Sequence, residues 1–142
     1  MVGLLDPLEI MVGNDDSVVR EKAVNSLMKV GRVLDQKTDL KDKYLPLLKR
    51  QRKGDQFSMR ISACHLYADI YERLSESDMR AMVRKKITKL SKDDTPMVRR
   101  AAAKCIPLIS KHIEGPYAKE FLLPMIQALL EDSNDSVKIY AV

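Results

Sequence analysis

The chain has 142 residues, 45% hydrophobic and 32% charged, with a formal charge of +5: long enough to bury a core, and too evenly interleaved for a disordered segment. Aromatics make up 5%, Trp is absent, and there are only five Gly and six Pro, which favours helices over strands. No apolar run reaches bilayer length, and MVGLLDPLEIMVGNDD has no basic leader and meets Asp6 and Glu9 early, so a cytoplasmic or nuclear address is expected and no membrane partner.

Apolar spacing places the first helix pair at 4–12 and 16–34, joined by a polar turn that offers Asp16 and Ser17 as caps. A second pair follows at 39–52 and 57–73, a third at 77–91 and 95–112, and a fourth at 117–131 and 135–142, the last one cut off. Gly54-Asp55, Asp94-Thr95-Pro96 and Asn134-Asp135-Ser136 supply the later turns, and Pro96 suits a first helical turn. Pro46 and Pro124 fall inside first helices, where a missing N–H predicts a bend.

The pairs are copies of one unit. Val19, Met59, Val98 and Val137 stand 40, 39 and 39 residues apart; each is followed by a basic residue (Arg20, Arg60, Arg99, Lys138) and, four positions on, by Ala23, Ala63, Ala102 or Ala141. Counting from these anchors, Leu27, Tyr67 and Ile106, then Val30, Ile70 and Ile109, continue one helix face. Leu8, Leu48, Ile87 and Ile126 sit eleven residues before the anchors, and Met11, Leu90 and Leu129 eight before, with Gln51 the exception. A period of this length implies stacked helical hairpins, here an all-α superhelical solenoid of about three and a half HEAT repeats with antiparallel helix pairs. The repeats run approximately 1–36, 37–75, 76–114 and a truncated 115–142. The recurrent Ala sets how closely second helices approach. Second helices are expected to line the concave side of a right-handed array, and the lack of capping repeats suggests a piece of a longer one.

Particular stretches resemble the scaffold (A, structural) subunits of protein phosphatase 2A. They are KDDTPMVRRAAA (92–103), Gly54-Asp55 with Phe57, Arg60 and Ser62-Ala63-Cys64, VVREKAVNSL (18–27) and LPLLKR (45–50), in order and in register over essentially the whole chain. The resemblance implies a non-catalytic segment from the N-terminal half of a horseshoe of fifteen HEAT repeats. Turns within the repeats would dock regulatory B-type subunits, and the catalytic subunit would bind repeats nearer the C-terminal end. On that basis the protein-binding residues are Asp15, Asp16, Ser17, Asp55, Gln56, Phe57, Asp94, Thr95, Pro96, Met97, Arg100, Asp135 and Ser136. Gln56 departs from the family, which commonly has Trp there.

Asp15, Asp16, Asp55, Asp93, Asp94, Asp132 and Asp135 form an acidic row along the turns, which also suits helix capping. Arg20, Arg60, Arg99 and Lys138 recur at one position and are expected to form a ladder with acids of neighbouring turns; Arg100 lies outside that ladder and is the better candidate for partner contact. Other HEAT adaptors, acting in transport or translation, would hold cargo in the concave groove instead. The basic runs near Lys49–Lys53 and Arg84–Lys89 raise nucleic-acid binding, but without interleaved aromatics they read as a solvated face. Cys64 and Cys105 have no metal-ligand spacing, His65 and His112 are 47 residues apart, and no phosphate loop or HExxH is present. No cofactor, metal or catalytic residue is therefore expected. End-to-end self-association is expected, because Leu129 and Val137 lack the next repeat that would cover them.

Overall fold

The structure, a computed structural model, describes residues 2–141, with side chains described for 3–138. Val142 and the side chain of Ala141 lie outside the described residues. A 3-10 turn (Val2–Leu4) leads into α1 (Leu5–Met11), followed by α2 (Ser17–Val33), α3 (Leu45–Arg52), α4 (Phe57–Arg73), α5 (Ser77–Leu90) and α6 (Pro96–Ser110). One helical turn, α7 (Gly115–Tyr117), then α8 (Leu123–Leu130) and α9 (Asp135–Ala141) complete the order. Among the described residues there is no strand, and no helix is long and apolar enough to cross a membrane.

The second helices form one layer, with α4 packed between α2 and α6 and α6 against α9. Their shared face is the one the sequence marked: Ala23, Ala63 and Ala102 are buried, as are Leu27, Tyr67, Ile106, Val30, Ile70 and Ile109. Among the first helices, Leu48, Ile87, Leu90 and Leu129 enter the same core, while Leu8 and Ile126 pack on its edge. Met11 does not: it is exposed and Val12 is buried instead, because α1 ends at Met11 and the chain turns there. Gln51, the polar exception, is buried, and its Nε2 donates to Glu9 O at 3.4 Å.

The bends expected at Pro46 and Pro124 take the form of π-helical turns at Leu40–Tyr44 and Ala118–Leu122. Leu45 N donates to Leu40 O and Leu123 N to Ala118 O, each five residues back. Widening the ladder just before a proline accommodates its missing donor and its ring. It also delivers Tyr44 into the core, where its hydroxyl donates to Leu27 O at 3.1 Å and its ring lies on Gly31, at which an added Cβ would stand 2.8 Å from Tyr44 Cζ.

Leu129 and Val137, expected to lie uncovered, are both buried, with α9 packed on α8 and on α6. At the ends opposite the turns, consecutive repeats are tied by Arg32 to Asp69 at 2.7 Å and by Gln36 Nε2 to Arg73 O at 2.8 Å. Arg73 Nη2 donates to Leu34 O at 3.0 Å, and within the third repeat Arg80 pairs with Glu114.

Candidate protein interface at the turns

Three of the four turns between paired helices are organised by the residue five positions before the anchor, the second having Gly54 there. Asn14 Oδ1 accepts from Asp16 N at 2.8 Å, Asp93 Oδ1 from Thr95 N at 2.9 Å and Asp132 Oδ1 from Asn134 N at 2.8 Å. These are Asx-type turns, in which a short polar side chain satisfies a backbone donor that the following helix cannot. At the N-caps themselves side chains do less than expected. Asp16 caps α2 through Val18 N and Val19 N, but Gln56 and Thr95 make no side-chain cap bond. Asp55 and Asp94, expected among the caps, stand exposed with no such bond.

The recurrent arginine locks each turn. Nη1 donates to two turn carbonyls in every case: Arg20 to Asn14 and Asp15 at 2.8 Å each, Arg60 to Gly54 and Asp55 at 2.9 and 3.1 Å, and Arg99 to Asp93 and Asp94 at 2.9 and 3.1 Å. The other guanidinium edge reaches the next repeat. Arg60 Nε meets Asp93 Oδ2 at 2.9 Å and its Nη2 meets Thr95 Oγ1 at 3.1 Å; Arg99 Nε and Nη2 meet the two Asp132 oxygens at 2.7 and 3.1 Å. This fork lowers the Asp132 carboxyl below the usual range, chiefly through the bond from Arg99. The ladder is shorter than the sequence suggested, since Lys138 pairs within its own turn with Asp135 at 3.8 Å.

The ladder sets the second, third and fourth turns side by side, and the first adjoins the second through a groove lined by Asp15, Arg20, Asp55, Gln56, Phe57 and Ser58. Of the expected binding residues, Asp15, Asp16, Ser17, Asp55, Gln56, Phe57, Asp94, Met97 and Asp135 are exposed, and Thr95, Pro96, Arg100 and Ser136 half-buried. Phe57 and Met97 are 44% and 46% exposed, large apolar side chains at the starts of α4 and α6. Asp93 and Asp132, placed by the sequence in the acidic row, are taken up by the ladder. The signal that separates them from Asp55 and Asp94 is their fixed place five residues before an apolar anchor.

Outside the turns, both cysteines are buried and both histidines half-buried. Cys105 Sγ lies 3.5 Å from Cys64 O and 3.8 Å from His65 Nδ1, a cross-repeat pair that sequence spacing did not reveal. Burial pushes the Cys105 thiol up to about 12 and the Cys64 thiol well up, the opposite of an activated nucleophile. Burial also lowers the His65 imidazole, helped by Lys104. His112 lies 3.6 Å from Glu72, away from both thiols. Among the described residues no cluster of three or more His, Cys, Asp or Glu could hold a metal.

The HEAT repeat family profile matches residues 83–113, which span most of α5 and all of α6. The chain is 41% identical over 124 residues to a protein phosphatase 2A scaffold subunit of Dictyostelium discoideum, covering 87% of the chain. It is 32% identical to the A-type regulatory subunit of phosphatase PP2A from Saccharomyces cerevisiae, covering 98%, and 40% identical to the beta isoform of the human 65 kDa A-type regulatory subunit of phosphatase 2A, covering 78%. The chain belongs to the protein phosphatase 2A scaffold-subunit family. It spans 21%, 23% and 18% of the length of these three relatives. Its fold matches the crystal structure of Cex1p with a TM-score of 0.75 at 18% identity, over 94% of the chain and 26% of that structure. Within this scaffold-subunit family member, then, the Arg60–Asp93 and Arg99–Asp132 forks order the turns, and Phe57, Met97 and the outer carboxylates are what the turns offer outward.

Proposed function

We propose that this chain is a non-catalytic scaffold segment of a serine/threonine protein phosphatase 2A holoenzyme. It docks regulatory B-type subunits along the ridge of turns and helps bring them to the catalytic subunit, which binds elsewhere on the scaffold. The observation that carries the reading is the coincidence of family identity with geometry: the turns adjoin one another, and intramolecular hydrogen bonds take up Asp93 and Asp132 but leave Asp94, Met97 and Arg100 uncommitted. Arg100 makes no hydrogen bond or ion pair among the described residues, whereas its neighbour Arg99 is fully engaged. A rigid row of preformed contacts limits the ordering cost of association. A cytoplasmic address, extending to the nucleus, belongs to this reading.

The test is capture of a regulatory B-type subunit by the wild-type chain and by Asp94→Lys and Arg100→Glu. Both substitutions reverse charge, at the third turn and in α6 just after it, without touching the ladder. Loss of capture with unchanged helicity is expected; unchanged capture in both variants refutes docking at the turns.

A further inference from the structure

Three successive arginines are pinned in the same way, Nη1 on the two carbonyls of their own turn, which leaves the Nε–Nη2 edge for a further contact. For Arg60 and Arg99 that edge holds the carboxylate five residues before the next anchor, Asp93 and Asp132. The corresponding position for Arg20 is Gly54, and Arg20 makes no ion pair among the described residues. The missing acid is built into the packing. A Cβ at Gly54 would stand 2.7 Å from Met59 Sδ and 2.8 Å from Met59 Cβ, and Met59 occupies the anchor position that is Val98 and Val137 in the ladder-bearing turns. The backbone does not require the glycine, since none of the described glycines has a positive φ.

Arg20 lines the groove between the first and second turns together with the half-exposed Phe57. Asp15 and Asp55 stand exposed on the same groove and pair with no cation among the described residues. Their charge opposes anions in general, so a carboxylate is held there only by meeting the planar guanidinium edge in a two-bond fork. We propose that the Nε–Nη2 edge of Arg20 receives an Asp or Glu side chain of a docked protein partner, which takes the place that Asp93 and Asp132 take within the chain. This rests on docking at the turns and adds to it the chemistry of one contact: the first rung of the ladder is completed by the partner.

The test measures binding of a recombinant B-type regulatory subunit to the full chain by biolayer interferometry. Arg20→Gln is expected to weaken binding about tenfold, the scale of a lost charge-assisted fork at an interface. Gly54→Asp combined with Met59→Val, which copies the local sequence of the later rungs, is expected to weaken it similarly while raising the thermal midpoint, because the acid is then supplied from within. In the complex formed by Arg20→Lys, a water-soluble carbodiimide is expected to cross-link position 20 to an Asp or Glu of the bound partner, located by mass spectrometry. Wild-type affinity in Arg20→Gln overturns the inference, and so do cross-links that avoid position 20. If Arg100→Glu abolishes binding in that same experiment, docking at the turns stands and the carboxylate contact alone falls; if Arg100→Glu also binds normally, both fall. Should the double variant not fold, Arg20→Gln, with helicity checked by circular dichroism, decides.

Discussion

Two adjacent aspartates in the third turn, Asp93 and Asp94, separate the physical roles that acidic turn residues can have. Both precede α6 and interact with its positive end to a similar degree, so removing either changes the dipole term alike. Only Asp93 is built into the ladder. Its carboxylate takes Arg60 Nε at 2.9 Å and Nη2 at 3.3 Å, and also Thr95 N at 2.9 Å. The Arg60 and Asp93 side chains are 18% and 14% exposed, so the pair is better shielded than a surface ion pair. Hydrogen bonds to an ionised group contribute about 1.5–3 kcal/mol, the one from Thr95 N included, with incomplete additivity. Asp93→Ala is therefore expected to cost about 2–3 kcal/mol in urea denaturation, and Asp94→Ala no more than about 0.5 kcal/mol, the usual range for an unbonded surface residue. A double-mutant cycle with Arg60→Gln and Asp93→Asn would isolate the coupling, expected at about 1–2 kcal/mol. Equal costs for Asp93→Ala and Asp94→Ala would refute the ladder and leave only dipole and capping effects.

Three further outcomes follow from the packing. Gly31→Ala gains up to about 1 kcal/mol of helix propensity but drives a Cβ to 2.8 Å from Tyr44 Cζ, with Tyr44 fully buried; overpacking costs about 1–3 kcal/mol. A net loss is expected in urea denaturation, whereas Gly115→Ala, with nothing within 4 Å of its added Cβ, should be neutral or stabilising. The His65 imidazole is lowered from 6.5 by burial and Lys104, so the unfolded chain takes up that proton first. Its contribution to stability is complete above the unfolded value, falls as the pH drops below it, and stops falling beneath the folded value. Wild type should thus lose urea resistance relative to His65→Gln between pH 7 and 5, and parallel curves would contradict this. Finally, with both thiols buried and their ionisation suppressed, an aromatic disulfide reagent should label Cys64 and Cys105 only as fast as the chain opens, and urea should accelerate it; immediate labelling of both in the native state would oppose this packing.

Helix pairs and core were legible in the sequence because burial repeats: one apolar anchor with partners at four, eight and eleven residues specifies a helix face whatever its neighbours do. The span expected at 57–73 is the observed Phe57–Arg73. What was not legible depends on contacts between repeats. The π-helical turns at Leu40–Tyr44 and Ala118–Leu122 read as plain helix, because Pro46 and Pro124 announce a lost donor without saying how the ladder adjusts. Met11 fits the periodicity and is exposed because the helix ends there. The binding residues were named through family resemblance, and the roles of Asp93, Asp132 and Gly54 emerged only when the distance from each arginine to the following turn was known. A ladder is a relation between neighbouring repeats, and a single repeat read alone shows only half of each rung.

Hydrogen–deuterium exchange of the full chain, alone and with a saturating recombinant B-type regulatory subunit, tests the central claim most directly. The account predicts added protection at the turns, in peptides spanning 13–20, 53–60, 92–100 and 132–137, with little change along the inner face of α2 and α4. Protection confined to the groove between α2 and α4, around Glu21, Asn25, Met28 and His65, with the turns exchanging as in the free chain, would contradict it.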